Sequence, residues 1–468
     1  MVQASTGLTR EQAQRLRDAF SGDIVTPADD GYDEARRLWN AVHDRRPAVI
    51  VRPAARADVA AAIRFARDHD LALAVRSGGH SPAGHSSCDG GLVLDLSRMR
   101  GVTVDPAARR ARVNGGALLG ELDVAAQAHG LVCPTGVIGH TGVAGLTLGG
   151  GVGRLQRHFG LTIDSLQAVE LMTADGRFVR ASETEEPELF WGMRGAGWNF
   201  GVVTAFEFSL HPFGPDLNRG VRVYPATAAR EVWQVFEDYA ATAPETVSMI
   251  YGISPETADA DDAAVPTSQD PVVVVSFNHS GPPDTVEQDT AGLRRGPEPN
   301  SVSGGSQAYL EAQTAHDLIL GWGGRSFIKG HYANVVRPES LDALVEHVAA
   351  GSSGASFSIT AQGGAIAQVA EDATAFAGRA ARFDLSADAT WSDTADDDRE
   401  RAWVRDGMAL VESDAIVGKY ANENADVGPD ETRAIYGDAK LARLAALKRT
   451  WDPDNVFRLN HNVEPAPN

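Results

Sequence analysis

The run Gly142-Val143-Ala144-Gly145-Leu146-Thr147-Leu148-Gly149-Gly150-Gly151-Val152-Gly153 constrains this chain more than any other segment. It is too apolar for a flexible linker and too rich in glycine for an ordinary core strand. Such a stretch reads as backbone packed closely against something flat. A second segment, Arg76-Ser77-Gly78-Gly79-His80-Ser81, directly follows an apolar strand read over Leu71 to Val75. Glycine lacks Cβ, so paired glycines let the main chain take positive φ and come close to a ligand, while successive N–H groups in such a turn form an anion-binding nest. A strand end of this kind offers amides to a diphosphate and a ring nitrogen to a cofactor. A plain glycine turn with a surface histidine is the alternative.

Two further segments weigh against that alternative. Arg194-Gly195-Ala196-Gly197-Trp198-Asn199-Phe200-Gly201-Val202-Val203 repeats the small-residue pattern and runs into a strand over Val202 to Phe208. Near the C-terminus, Asp452-Pro453-Asp454-Asn455-Val456-Phe457-Arg458-Leu459-Asn460-His461-Asn462 follows a helix and supplies amides suited to an exocyclic carbonyl or a phosphate.

Taken together, the four segments resemble the FAD-dependent oxidases of the vanillyl-alcohol oxidase and p-cresol methylhydroxylase superfamily, in the berberine-bridge-enzyme-like branch found in bacteria and plants. The resemblance spans nearly the whole chain and includes the ordered pair Tyr420-Ala421-Asn422 and Asp452 to Asn462. It implies an α+β, two-domain FAD-binding PCMH-type fold. Residues 1–211 and 417–468 would form the FAD-binding domain, and 212–416 an inserted substrate domain built as an antiparallel sheet backed by helices. It also implies FAD bound covalently through an 8α-histidyl link at His80. Around that histidine the cofactor-binding positions are Arg76, Ser77, Gly78, Gly79 and Ser81, followed by His85 and Ser86. Thr135, His140, Thr141 and Gly142 lead into Gly145, Leu146, Gly150, Gly151 and Gly153 of the glycine-rich run. Gly201, Val202 and Val203, then Tyr420, Asn422, Asn460 and Asn462, complete the implied set.

Better-known members attach the flavin a second time, through a cysteine that would fall near Ile138 here. Cys133 lies too far upstream, so a single link through His80 is expected and Cys133 reads as a small buried hydrophobe. Cys88 and Cys133 give neither a disulfide framework nor zinc spacing. No GxxxxGK[ST] loop, HExxH helix or strict GxGxxG fingerprint occurs, so kinase, zincin and nicotinamide readings lose their anchors and no metal is expected.

A formal net charge of −21 argues against nucleic acid, whose phosphates need clustered Lys and Arg. No segment approaches a membrane span, and Met1 to Phe20 lacks the apolar core of a signal peptide, so a cytoplasmic setting is the default. At 468 residues the chain exceeds one hydrophobic core, which agrees with two domains.

Periodicity predicts strands over Ala48 to Arg52, Leu92 to Leu96 and Arg110 to Asn114, and helices over Asp58 to Asp70 and Ala117 to His129. Leu166 to Thr173 and Phe178 to Ala181 flank a hairpin turn. Beyond Pro212, helices at Ala226 to Ala241 and Ser340 to Ala350 alternate with strands at Val272 to Phe277 and Phe357 to Ala361. Pro255 to Asp270 and Gly296 to Gly304 read as surface connections. Asp384 to Trp391 alternates as a half-buried strand would, placing Asp384, Ser386, Asp388 and Thr390 on one face, which suits a cavity lining.

For the chemistry, the resemblance implies a donor C–H held over the flavin, a base for the departing proton, and access for dioxygen. Tyr420 is the favoured base, but a phenol of pKa about 10 needs a nearby cation or donor. Lys329, Arg325, His331 and Asp388 are candidates for that support, and Tyr251 and Trp322 for aromatic walls. Thr141, at the start of the glycine-rich run, suits the flavin N5 edge or a held oxygen. Three classes stay open: an oxidase of a small alcohol, amine or phenolic donor that yields hydrogen peroxide; a flavin-dependent oxygenase of secondary metabolism; and a non-catalytic small-molecule trap.

Overall fold

The computed structural model describes residues 8–259, 262–317 and 320–467, with backbone alone at 256–259 and 262–269. Three main sheets organise it. The first runs Asp23–Val25, Val49–Arg52, Leu92–Asp95, Leu73–Arg76, with the last three strands parallel. Parallel neighbours require a crossover, supplied between Val49–Arg52 and Leu73–Arg76 by the helix Arg56–Asp68, which buries Val59, Ile63 and Ala66 as the periodicity predicts. The helix starts two residues before Asp58. That carboxylate sits in its first turn and accepts the N–H groups of Ala54 and Ala55 at 2.8 and 3.1 Å, so the sequence marks the cap but not the first residue.

The second sheet is antiparallel and runs Val102–Asp105, Arg110–Asn114, Val202–Ser209, Leu166–Met172, Phe178–Ser182. The expected hairpin at Asp175-Gly176 forms its edge, and the helix Leu119–Gln127 follows the strand Arg110–Asn114. The glycine-rich run is neither linker nor strand: Val143–Leu148 forms one short helix, and Gly149 to Gly153 turn away from it.

The third sheet has seven antiparallel strands in the order Ser301–Ala308, Asp216–Pro225, Asp262–His279, Val247–Asp259, Ala355–Ala361, Phe383–Trp391, Arg325–Ala333. Helices Ala229–Ala240, Pro338–Ala349 and Asp397–Ala409 cover one face. Trp233, Phe236, Leu341, Leu344 and Val404 pack there against Tyr251, Phe357, Ile359 and Leu385. Tyr251 is therefore core, with its hydroxyl donating to the Ala229 carbonyl at 2.9 Å.

Both stretches expected as surface connections prove partly to be strand. Pro255 to Asp270 extends the central hairpin with shifted register, apart from 260 and 261, which lie outside the described residues. Ser301 to Gly304 join the exposed edge strand. Backbone pairing alone makes these strands, so no apolar alternation advertises them.

Candidate active site

The uncovered face of the seven-stranded sheet looks onto the glycine segments across a cavity of about 630 Å³. Strand alternation sends Leu385, Ala387 and Ala389 into the core and Asp384, Ser386, Asp388 and Thr390 into the cavity, as the sequence suggests. Asp384 faces Thr360 and Ser386 faces Ser358 across the strand pair, with the two serine hydroxyls 2.9 Å apart.

On the opposite wall, Ser77, Gly78, Gly79, His80 and Ser81 meet Thr141, Gly142, Gly145 and Leu146. Gly78 and Gly142 touch backbone to backbone, and a Cβ on either would fall into the other's amide. That contact requires glycine at both positions. Gly145 differs: a Cβ there meets nothing within 4 Å, and the residue lines the cavity.

His80 is gripped from two sides. Its Nε2 lies 2.6 Å from Nδ1 of His140, and Trp39 stacks on the ring with centroids 4.8 Å apart and planes 17° apart. Trp322, half exposed, meets the ring edge-on at 6.3 Å. Burial, helped by His140, lowers the His80 pKa to about 3, so the imidazole is neutral at physiological pH. No described residue bonds Nδ1.

The cavity also takes in His85, Ser86, Gly153, Gly201, Val203, Tyr420, Asn422 and Asn460. Several other candidates stand behind the wall. Arg76 donates to the Ala35 carbonyl at 2.6 Å, tying down the turn. Thr135 donates to buried Asp123 at 3.1 Å, and Val202 sits in the core under the first sheet. His140 reaches the cavity through His80. Gly150 and Gly151 take positive φ where the chain passes Phe376 and Thr162, and the side-chain oxygen of Asn462 is buried without a partner.

Tyr420 lies beneath this wall. Its hydroxyl oxygen accepts the Val152 N–H at 3.1 Å and the Asn422 amide at 2.9 Å. Burial, with Glu423 adding to it, nevertheless holds the phenol pKa well above its ordinary value. The cations expected to lower it are engaged elsewhere. Lys329 bonds Asp426 at 2.7 Å, Arg325 bonds Asp397 at 2.6 Å, and His331 is buried away from the cavity, its pKa brought to about 4 by burial and Lys419.

Carboxyl groups dominate the sheet side instead. Asp388 accepts the Ser356 hydroxyl at 2.8 Å, and burial pushes its pKa up to about 6. Glu423, which the sequence reading passed over, is pushed up to about 7 by burial and then by Asp388. Asp384 is raised well above its ordinary value by burial and then by Glu423. The signal for Glu423 was present in its place one residue beyond Asn422. A lone glutamate reads as solvated until the fold buries it.

Cys133 is fully buried in the core, its thiol pushed up by burial, and it does not line the cavity, whereas Ile138 does. Buried polar atoms of residues lining the glycine side have no partner among the described residues, including His85 Nε2, His461 Nδ1 and the Asn460 side-chain oxygen. Together with the open cradle at Gly145, these residues fit a large, flat, hydrogen-bonding group.

The fold that holds this cavity, with a glycine cradle opposite a polar sheet face, is that of PCMH-type flavoproteins. Residues 47–182 match the family model of an FAD binding domain, and 419–464 that of berberine and berberine-like proteins. (R)-6-hydroxynicotine oxidase of Paenarthrobacter nicotinovorans is 31% identical over 461 residues, covering 96% of this chain and 97% of that one. An FAD-linked oxidoreductase of Dictyostelium discoideum is 29% identical, with 96% of each covered. Among solved structures, 6-hydroxy-D-nicotine oxidase from Arthrobacter nicotinovorans superposes with a TM-score of 0.83 at 29% identity, covering 96% of this chain and 98% of that one. Physcomitrella patens BBE-like 1, at 24% identity, shares the fold with a TM-score of 0.87 over 98% and 99% of the two chains. The chain belongs to the berberine-bridge-enzyme-like family of FAD-linked oxidoreductases, and is an FAD-dependent enzyme. No helix among the described residues is long and apolar enough to cross a membrane.

Proposed function

We propose that this enzyme is a covalent-flavin oxidase of a small organic donor, with FAD attached through His80 and dioxygen as the electron acceptor. The observation that carries the reading is the placement of His80 on the cavity wall, neutral, stacked on Trp39 and held through Nε2, which leaves Nδ1 as its unbonded ring nitrogen. In this reading residues 1–211 and 417–468 hold the cofactor, and 212–416 supply the substrate side.

Bound FAD supplies two-electron acceptance from the donor and delivery to dioxygen. The chain's own residues position the donor and manage its proton. Asp388 is the proton acceptor, because its pKa of about 6 leaves it ionised at neutral pH. Tyr420 serves as a neutral hydrogen-bond donor, since its oxygen already accepts two N–H groups. Thr141 lines the cavity next to Gly142 and orients the cofactor edge. With Cys133 shut in the core, His80 is the single point of attachment.

The test is acid denaturation and filtration of wild type and His80→Ala, followed by intact mass and spectrum of the retained chain. Flavin kept by the wild type and shed by the variant supports the single link; flavin kept by both overturns it, and flavin shed by both removes covalent attachment. Peroxide equal to donor consumed supports an oxidase, whereas ¹⁸O from dioxygen in the product makes it an oxygenase.

A further inference from the structure

The sheet side of the cavity carries an unusual charge inventory. Asp384 and Asp388 project from the same face of the strand Phe383–Trp391, and Glu423 closes the short turn after Tyr420. Glu423 lies within the field of both aspartates: it raises Asp384 and is itself raised by Asp388. No described Lys or Arg pairs with any of the three. Three cations close to this wall have carboxylates of their own outside the cavity: Lys329 has Asp426, Lys419 has Glu431 at 2.9 Å, and Arg325 has Asp397. Arg154 lines the cavity too, where it donates to the Ala312 carbonyl and lies 3.1 Å from His316.

Two observations beyond the carboxyls point to a ligand. Asp384 is only 7% exposed, yet its side chain bonds no described residue and faces the cavity. Ser248, also 7% exposed, lines the same cavity with its hydroxyl bonded to no described residue, and the Asn278 side-chain oxygen across from it is buried with no partner among the described residues. The wall is thus rich in acceptors and poor in positive charge.

We infer that the donor is an amine, received as its ammonium form by the Asp384, Asp388 and Glu423 carboxyl groups with Ser248 and Asn278 completing its hydrogen bonds. The inference rests on the flavoenzyme reading above and names its substrate class. Gathering carboxyl groups away from water without a cation costs free energy, which raises their pKa values and disfavours every charge they carry. A positive ligand removes that cost and gains charge-assisted hydrogen bonds. A neutral polyol satisfies the serines but leaves the carboxyl groups uncompensated, and an anion adds a further like charge.

The experiment is isothermal titration of the flavin-loaded protein at pH 8, without dioxygen, against four probes: benzyltrimethylammonium, benzyl alcohol, benzoate and cellobiose. Benzyltrimethylammonium carries the charge but has no N–H to lose, so binding is read without turnover. Through its charge alone it should bind about tenfold or more tightly than benzyl alcohol, with benzoate weaker still. Asp388→Asn and Glu423→Gln should each weaken the cation by about tenfold, several times more than either weakens benzyl alcohol. Cellobiose or benzyl alcohol binding as tightly as the cation overturns the inference. So does cation affinity indifferent to both variants, or no cation binding at all. The wild-type charge series stands alone if a variant fails to fold, as judged by its flavin spectrum. Protein that holds a dithionite-reducible flavin but rejects the cation refutes the amine site only. Protein that holds no reducible flavin refutes the underlying flavoenzyme reading instead.

Discussion

Lys448→Met is expected to loosen the C-terminal segment that brings Phe457, Leu459 and Asn460 to the cavity. The Lys448 ammonium is fully buried, lies 2.8 Å from the equally buried Asp452 carboxylate, and donates to the Asn199 and Phe457 carbonyls at 2.8 Å each. Asp452 in turn accepts the N–H groups of Val456 and Phe457 at 2.8 and 2.9 Å, which folds the Asp-Pro-Asp-Asn turn back on the helix Pro429–Trp451. Methionine keeps most of the volume but strands one carboxylate and two carbonyls. Removing one partner of a buried pair costs about 3–5 kcal/mol. The two N–H bonds that Asp452 keeps place this case at the lower end, about 3 kcal/mol, a fall of more than about a hundredfold in the folded-to-unfolded ratio. Urea unfolding followed in parallel by far-UV circular dichroism and flavin fluorescence measures it. The flavin signal should move first, because the loosened segment lines the cavity. Lys448→Met/Asp452→Asn should lose less than the sum of the two single variants, as coupled partners do. A loss below about 1 kcal/mol, or full additivity, would refute the argument that this pair anchors the segment.

Activity should rise with pH through about 6 as Asp388 ionises, and Asp388→Asn should flatten that limb in a kcat/KM profile. Stability should move the opposite way. The folded pKa of Asp388 lies above its unfolded value, so the folded state holds the proton more tightly, and about 3 kcal/mol present below pH 4 is lost as pH climbs through 6. Urea midpoints of wild type and Asp388→Asn from pH 4 to 8 check the slope. Gly78→Ala should destabilise by about 1–3 kcal/mol, because its Cβ meets the Gly142 amide. Gly145→Ala, free of contacts inside a helix, should leave the apoprotein stable yet slow incorporation of added FAD, which thermal shifts of apoprotein with and without FAD will separate. Native Cys133 should resist thiol reagents that label it after denaturation, since it is fully buried and its thiol pKa is raised.

Much of the site is legible in local patterns. The turn Arg76 to Ser81, the glycine-rich run and the alternation from Asp384 to Thr390 each carry their geometry in consecutive residues, because glycine content and a period of two are properties of the chain itself. Helix ends were less legible: Asp58 marks a first turn without naming its first residue. The edge strand Ser301–Ala308 was hidden because its pairing is made by backbone and its side chains stay in solvent.

What the sequence determined by itself is the fold family, the cofactor and the list of groups available for chemistry. Tertiary structure decided which of those groups work together. Trp39, His80 and His140 come from three distant segments and converge only through packing. Lys329 and Arg325, plausible partners for Tyr420 on paper, turn to Asp426 and Asp397, while Glu423 and Asp384 lose water and gain no cation. Burial and charge pairing are set by neighbours tens of residues away in the chain, and they decide whether a carboxyl group is a solvated ornament or a proton acceptor.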